Sequence, residues 1–454
     1  MHDTIAAQRR YFLSHATLEV EFRLKALSCL RKAILKWEPR LVEALKADLG
    51  KSSTESYMSE IGMVLAGLRD VRRHLRRWAR GYRVMAPPAQ FPSTCRVVPE
   101  PYGVSLVISP WNYPVLLALD PLVGALAAGN TCVLKPSELA PATAEVLGQM
   151  LAETFPPEYV AVVQGGVEVS NALLAESFDY IFFTGSPRVG HIVMEATARH
   201  LTPLTLELGG KSPCIVDETA DVRMAARRIA FGKILNVGQT CVAPDYALVH
   251  INCKGAFINA FREEVEQMLG EEPLKNPNYP CIINERHFER IAHLMKVGVA
   301  MVGGKTDAAT RRIEPTLLVD VPEDAPCMQE EIFGPLLPVI TYESIEEVEN
   351  FILSRPKPLA CYIFTGNRML EKRLLKHLSF GGGCVNDTII HLAVPGLPFG
   401  GVGNSGMGAY HGKASFDTFS HKKSVLRKGT WLDLPFRYQP FTRFKELILR
   451  LFLR

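Results

Sequence analysis

The chain has no Cys-x-x-Cys pair, no internal repeat, no low-complexity tract and no large excess of one charge. Each absence removes a class of protein. Its ten cysteines lie singly between Cys29 and Cys384, which argues against a zinc ribbon or a dithiol redox pair and suits a reducing compartment. No uncharged apolar run reaches the roughly 18 residues that a bilayer demands. The best candidate, Val115 to Ala128, is short and is broken by Asp120-Pro121. Lys and Arg number 51 against 47 Asp and Glu, a net charge of +4. That is too little on a chain this size to imply a nucleic-acid partner. The polar start Met1-His2-Asp3 carries no secretory signal, so the expectation is a cytoplasmic protein without a transmembrane span.

What is present is ordinary globular composition: 454 residues, 47% hydrophobic and 22% charged, enough for several cores. From Ile5 to Ala79 apolar positions such as Phe12, Phe22, Leu27, Leu30, Ile34 and Trp37 recur at helical spacing. The basic run Arg72, Arg73, Arg76, Arg77 and Arg80 reads as a solvated helix flank rather than a phosphate stripe. After the proline-rich break at 86–92 the grammar changes. Val104–Ile108, Thr131–Leu134, Val160–Val163 and Tyr180–Phe183 are strand-like runs separated by helical stretches. A second alternating series follows Leu206. It includes Cys214–Val216, Tyr246–Ile251 and Tyr362–Phe364 as strands. Buried strands alternating with helices mean parallel sheets. Two α/β domains in series with a smaller appendage is the simplest account.

Three segments carry chemistry. Phe182 to Gly190 reads as strand, glycine turn and helix start, with Pro187 in the first helical turn. Free amides there would favour a phosphate, although the segment is not G-x-G-x-x-G and an ordinary βα turn is the alternative. Leu206-Glu207-Leu208-Gly209-Gly210-Lys211-Ser212-Pro213 places a carboxylate between apolar neighbours. Burial would lift its pKa toward the range of a general base; a salt-bridged surface glutamate is the plainer reading. Gly238-Gln239-Thr240-Cys241 puts a cysteine on a loop, where most thiols are inert packing.

Taken together, Glu-Leu-Gly-Gly-Lys-Ser-Pro followed some 34 residues later by Gly-Gln-Thr-Cys (207 to 241) resembles the aldehyde dehydrogenase superfamily. The resemblance extends over Pro110-Trp111-Asn112-Tyr113-Pro114, Leu134-Lys135-Pro136-Ser137-Glu138, Glu330-Glu331-Ile332-Phe333-Gly334-Pro335 and Pro398 to Gly406. The context of Cys241 and the sequence Tyr410-His411-Gly412-Lys413 are similar to the class 3 branch, which includes the fatty aldehyde dehydrogenases. The resemblance implies two Rossmann-like open sheets, cofactor-binding and catalytic, with a small β-strand oligomerisation appendage. The implied boundaries are 1–80 and 104–206 for the NAD(P)-binding domain and 207–419 for the catalytic domain. Residues 81–103 and 420–454 would form bridging strands and a tail. It also implies Cys241 as nucleophile, Glu207 as general base and Asn112 as oxyanion donor. Lys135 and Glu138 would face the adenosine ribose, and Glu331 the nicotinamide ribose with Phe333 packed nearby. Trp111, Gly185, Ser186 and Gly190 complete the cofactor set, and no metal is expected.

The implied activity is NAD-dependent, or NADP-dependent, oxidation of medium- or long-chain aldehydes through a thioester. Aromatic aldehydes remain open as substrates. A coenzyme A-acylating enzyme and an inactive structural protein on the same fold remain as alternatives; Glu207, Cys241 and Asn112 argue against both. The strands Arg96-Val97-Val98 and Ser424-Val425-Leu426 would serve a homodimer. In the tail, Phe444, Leu447, Ile448 and Leu451 fall on one helical face, with Arg443, Lys445, Arg450 and Arg454 outside it. Such a helix either docks on its own protein or lies peripherally on an anionic membrane.

Overall fold

The computed structural model describes residues 1–453. The helical N-terminal region runs as His2–Leu13, Val20–Leu49, Ser53–Ser56 and Gly62–Ala79, with a π-helical turn at Tyr57–Ile61. The second of these helices spans 30 residues despite Pro39 and ends at Gly50 in the left-handed region (φ 69°), the conformation glycine adopts at no steric cost. All five arginines of the basic run are exposed, as expected of a solvated flank.

Two open sheets follow. The first has six strands in the order Gly406–Met407, Leu204–Glu207, Tyr180–Thr184, Val104–Ile108, Thr131–Lys135 and Val160–Val162, all parallel except the first. The chain starts at the centre, winds one way to Val160–Val162, then returns to the other side of Val104–Ile108. The order therefore reverses between Val104–Ile108 and Tyr180–Thr184, and ligands settle in the crevice beyond the strand ends at such a point. The second sheet has seven strands in the order Val299–Val302, Thr316–Val319, Leu336–Tyr342, Tyr246–His250, Pro213–Val216, Ala360–Phe364 and Gly382–Val385. Only its first strand is antiparallel. The central strands Val104–Ile108, Tyr180–Thr184, Pro213–Val216 and Ala360–Phe364 are buried along their whole length, because helices cover both faces of a parallel sheet.

A third sheet of three antiparallel strands, Tyr82–Val84, Ser93–Pro101 and Ser420–Lys428, pairs the two segments expected to form the appendage. Val97 lies opposite Ser424, and Arg96 opposite Val425. Asn130 ties this sheet's roots to the first one. Its side chain accepts from Gly103 N and donates to Phe419 O, both at 2.9 Å, in a fully buried position. Buried backbone groups without a partner are costly, so this one amide fixes how both long strands leave the core.

The helical stretch after Val104–Ile108 runs from Leu116 to Ala128 and takes in the apolar run broken by Asp120-Pro121. The strand Leu336–Tyr342 and the helix Glu285–Leu294 have no counterpart in the sequence reading. Among the described residues no helix is long and apolar enough to cross a membrane.

Candidate active site

The C-terminal ends of three strands of the first sheet open onto one cleft of about 220 Å³. Val104–Ile108 delivers Trp111 and Asn112, Tyr180–Thr184 delivers Gly185 and Ser186, and Leu204–Glu207 delivers Glu207 itself. The second sheet's side contributes Cys241, Glu331 and Phe333. Eight of the eleven residues singled out in the sequence thus line one cavity. The other three lie outside it. Gly190 lies against Leu208: a Cβ there would come within 2.8 Å of Leu208 Cδ2. Lys135 and Glu138 pair with each other at 2.8 Å beyond the end of Thr131–Lys135. Burial works to raise Glu138, but the Lys135 ammonium outweighs it and holds the carboxyl below its usual range.

The loop holding Cys241 is strained and heavily tied. Asn236 and Val237 both have positive φ (49° and 55°), and for a β-branched residue this is a genuine outlier. Surrounding hydrogen bonds over-determine it. Asn236 N donates to Glu55 Oε1 (2.8 Å), and Asn236 Nδ2 donates to Asn112 O (2.7 Å) and Gln239 O (3.1 Å). Gln239 in turn donates to Asn236 O and Cys281 O and accepts from Ile283 N. Asn112 Nδ2 donates to Gln239 O at 3.0 Å, which fixes its amide orientation and leaves its second N–H free.

Beneath Asn112 lies a fully buried ion pair. Lys51 Nζ donates to Glu60 Oε1 at 2.6 Å and to Asn112 O at 3.2 Å, with both side chains at 0% exposure. Glu60 Oε2 accepts from Val115 N and Leu116 N, at the start of the helix Leu116–Ala128. The carboxylate therefore meets an ammonium on one side and the positive end of a helix on the other. Lys51 also sits 4.0 Å from the ring centroid of Tyr113, whose hydroxyl bonds Thr240 Oγ1 at 2.6 Å.

The ionisable groups of the cleft are tuned by burial. Glu207 is buried, both its oxygens lack a hydrogen-bond partner among the described residues, and burial holds its carboxyl well above the usual range. Burial raises the Cys241 thiol, and the neighbouring carboxyls Glu331 and Glu207 raise it further. Glu331 is pushed up to about 8, first by burial and then by Asp245. Its Oε1 is buried without a partner, and its carboxylate lies over Gly209 so closely that any Cβ there would collide with it. An orphaned acceptor facing the cleft suits a sugar hydroxyl, and a backbone without side chains at 209–210 suits the close approach of a flat ligand. The residues present fit a dinucleotide.

The loop carrying Glu331 and Phe333 is itself braced. Lys211 pairs with Asp245 and donates to Cys327 O and Glu330 O; Asp245 accepts from Ile332 N. Arg290 donates to Ile332 O (2.6 Å) and to Glu331 O (3.3 Å). Arg290, His287, Thr184, Phe399 and Tyr410 also line the cleft and were not singled out as site residues. His287 lies 5.2 Å, and Phe333 5.4 Å, from Trp111, ring centroid to centroid. Tyr410 and Phe399 stood inside motifs that were read as family markers only. Nothing in the sequence distinguishes His287 and Arg290 from other polar residues of an amphipathic helix.

Two facing α/β sheets with a partly exposed thiol and an unpartnered carboxyl in the crevice define an enzyme of the two-sheet α/β class. The comparisons make this specific. The model of the aldehyde dehydrogenase family matches residues 1–425. The chain is 46% identical over 435 residues to 4,4'-diaponeurosporen-aldehyde dehydrogenase of Staphylococcus aureus, covering 95% of each chain. It is 45% identical to aldehyde dehydrogenase family 3 member A2 of Rattus norvegicus, covering 94% of this chain and 89% of the relative. A substrate-bound structure of Staphylococcus aureus AldH superposes with a TM-score of 0.98 at 45% identity, over 100% of this chain and 99% of that one. A betaine aldehyde dehydrogenase from the same organism, in complex with NAD+, gives 0.85 at 27% identity over 96% and 89%. The chain belongs to the aldehyde dehydrogenase family, and relatives of about 45% identity include members of its class 3 branch.

The buried pair makes a stability prediction. Glu60→Gln strands an uncompensated ammonium and is expected to lower the unfolding free energy by about 3–5 kcal/mol. The double variant Lys51→Met/Glu60→Gln should recover part of that loss in urea titrations. Additive losses in the double variant would show that the two charges are not coupled.

Proposed function

We propose that this aldehyde dehydrogenase oxidises medium- and long-chain aliphatic aldehydes to carboxylic acids with NAD, through a thiohemiacetal and a thioester on Cys241. The observation that carries the reading is the convergence of a partly exposed thiol, an unpartnered buried carboxyl and a fixed amide on one largely apolar cleft. Residues 1–80 and 104–206 act as the cofactor domain, 207–419 as the catalytic domain, and 81–103 with 420–454 as the appendage.

The Cys241 sulfur, as thiolate, adds to the aldehyde carbon. Negative charge grows on the carbonyl oxygen, where the free N–H of Asn112 Nδ2 and the Cys241 backbone N–H meet it. Losing one such donor costs about 10²–10³ in rate. NAD supplies the hydride acceptor when bound, held by Glu331, Phe333, Trp111, Gly185 and Ser186, with Lys135 and Glu138 toward the adenosine end. Glu207 then takes a proton from water, whose oxygen attacks the acyl carbon. The C–S bond breaks, and acid and thiolate are regenerated. The presence of Glu207 favours hydrolysis over transfer to coenzyme A. Glu138 disfavours a 2′-phosphate by like charge, which favours NAD over NADP.

Two peripheral features complete the reading. Ser420–Lys428 is a nine-residue edge strand exposing Val425 and Leu426, and such an edge invites pairing with a second copy. The tail helix Arg443–Phe452 divides its apolar residues. Ile448 and Leu449 line a cleft with Pro88, Leu434 and Phe436, so Ile448 borders the side of the helix that docks on its own protein rather than the exposed stripe. Phe444, Leu447 and Leu451 remain 67%, 66% and 77% exposed. With Arg443 and Arg450 nearby, that stripe suits an anionic lipid surface.

Glu207→Gln is expected to keep a pre-steady-state burst of reduced cofactor while steady-state turnover falls by two orders of magnitude or more. In the wild type, hydrolysis rises with pH as the raised Glu207 carboxyl ionises, and this limb disappears in the variant. Unchanged turnover in Glu207→Gln would overturn the assignment. Full-length protein should cosediment with anionic vesicles at low salt, whereas truncation after Gln439 should release it and leave hexanal oxidation intact. A full-length chain that stays in the supernatant would refute the lipid contact.

A further inference from the structure

Tyr410 lines the cleft of Cys241, Glu207 and Asn112 but has no part in the reaction described so far. Its position is fixed from several directions. Gly406–Met407 pairs antiparallel with the end of Leu204–Glu207, Gly406 opposite Glu207, and Gly408 lies against Thr205. Two residues further on, Tyr410 N donates to Phe399 O (2.8 Å) and Tyr410 O accepts from Phe399 N (2.9 Å). The ring is boxed by Phe182, Phe399 and His411, at centroid distances of 5.0, 5.7 and 4.3 Å, each edge-on. Tyr410 is only 2% exposed. With the ring packed on these sides, the hydroxyl is the end left to meet a reactant.

A buried tyrosine hydroxyl ordinarily finds a partner, as those of Tyr113, Tyr180, Tyr279 and Tyr362 do. The Tyr410 hydroxyl bonds none of the described residues, and it is not sealed in the core; it opens onto the cleft. Glu207, which borders the same cavity, has both carboxyl oxygens unpartnered. The two groups thus share one space without bonding each other, and an oxygen atom set between them can bond both. Burial holds the Tyr410 proton in place, and Glu207, Asp120 and Cys241 reinforce it. The phenol therefore stays neutral, with one donor and an acceptor to offer, and cannot itself act as a base.

We propose that the Tyr410 hydroxyl is a second anchor for the water that hydrolyses the Cys241 thioester. The proposal rests on the dehydrogenase reading above and deepens its last step. As the water oxygen bonds to the acyl carbon, one of its protons passes to Glu207 and its other O–H donates to the Tyr410 oxygen. The C–S bond then breaks, and the sulfur leaves as thiolate. Tyr410 keeps its own proton throughout, so it orients the nucleophile and does not activate it. A water held by Glu207 alone turns freely about one hydrogen bond. Held at two points, it keeps a lone pair on the acyl carbon. Attack on the aldehyde and hydride transfer use no water, so neither draws on this hydroxyl.

Tyr410→Phe tests this, since it keeps the ring and its aromatic contacts and removes an oxygen that bonds nothing in the protein; its thermal melt should match the wild type. With octanal and NAD in a stopped-flow mixer, the variant should release one reduced cofactor per site in a burst as fast as the first turnover of the wild type. Steady-state turnover should then fall by about 10-fold, the worth of one hydrogen bond to the attacking water. Hydroxylamine, which attacks a thioester without a base, should restore turnover and yield the hydroxamate. The double variant Glu207→Gln/Tyr410→Phe should be no slower than Glu207→Gln, because both residues act on one water. Unchanged steady-state turnover in Tyr410→Phe, a slowed burst, or no rescue by hydroxylamine would overturn the proposal. Any of these, with Glu207→Gln still stalled as acyl-enzyme, leaves the dehydrogenase reading standing. Aldehyde oxidation that survives Cys241→Ser would remove both.

Discussion

The buried contact between Lys51 and Glu60 is the constraint from which the site geometry follows. Neither charge reaches water, so each must be met inside the protein. Glu60 is met by Lys51 and by the first amides of the helix Leu116–Ala128; Lys51 is met by Glu60, the Asn112 carbonyl and the face of Tyr113. Because these partners come from the long N-terminal helix's end, the π-turn and the loop after Val104–Ile108, satisfying one ion pair fixes three chain segments together. The Asn112 carbonyl also receives Asn236 Nδ2, and Glu55, from the same region, receives Asn236 N. The strained turn before Cys241 is thereby locked to the loop that carries Asn112. The Cys241 loop from one sheet and the Asn112 amide from the other keep a set spacing because a few buried hydrogen bonds join them. Preorganisation of this kind is what an oxyanion site requires.

The electrostatics of the cleft balance two opposing demands. Glu207 and Glu331 are both lifted by burial, and both raise the thiol of Cys241. A carboxylate close enough to serve as base therefore suppresses the thiolate while it is charged. In the proposed reaction a dry, unpartnered Glu207 would ease this conflict: a neutral carboxyl would leave the thiol freer to ionise during attack, and an ionised one could then accept a proton from water. Lys211 and Arg290 are spent on backbone carbonyls and on Asp245 and Glu330 rather than on Glu207 or the thiol, so neither cation short-circuits that balance.

Much of this was legible in the sequence, for reasons that can be named. Fully buried strands such as Val104–Ile108 and Tyr180–Thr184 read as continuous apolar runs, which made the first sheet plain. Glu207, Cys241 and Asn112 stood in motifs whose order carried their resemblance, and the structure lines one cleft with all three. The second sheet was only half visible. Leu336–Tyr342 contains Pro338 and two half-exposed positions, so neither period nor composition marked it as a strand. Lys51 and Glu60 lie nine residues apart in a stretch read as helical, and nothing there marks them as buried, since their burial also needs backbone groups 61 and 55 positions away. The positive φ of Asn236 and Val237 is equally invisible, because no glycine announces it. Lys211 belonged to a recognised motif, yet its work is mechanical, bracing the loop of Glu331 and Phe333. Asp120 was noticed only as the break in an apolar stretch.

The proposed reaction stands on an acyl group passing through the sulfur of Cys241. Peptide mass spectrometry on protein quenched with acid during turnover of octanal and NAD tests it directly. An adduct is expected on the peptide bearing Cys241, heavier by the aldehyde less two hydrogens and stronger in Glu207→Gln than in the wild type. Sustained turnover with no such adduct in either protein, or an adduct on another of the ten cysteines, would contradict it.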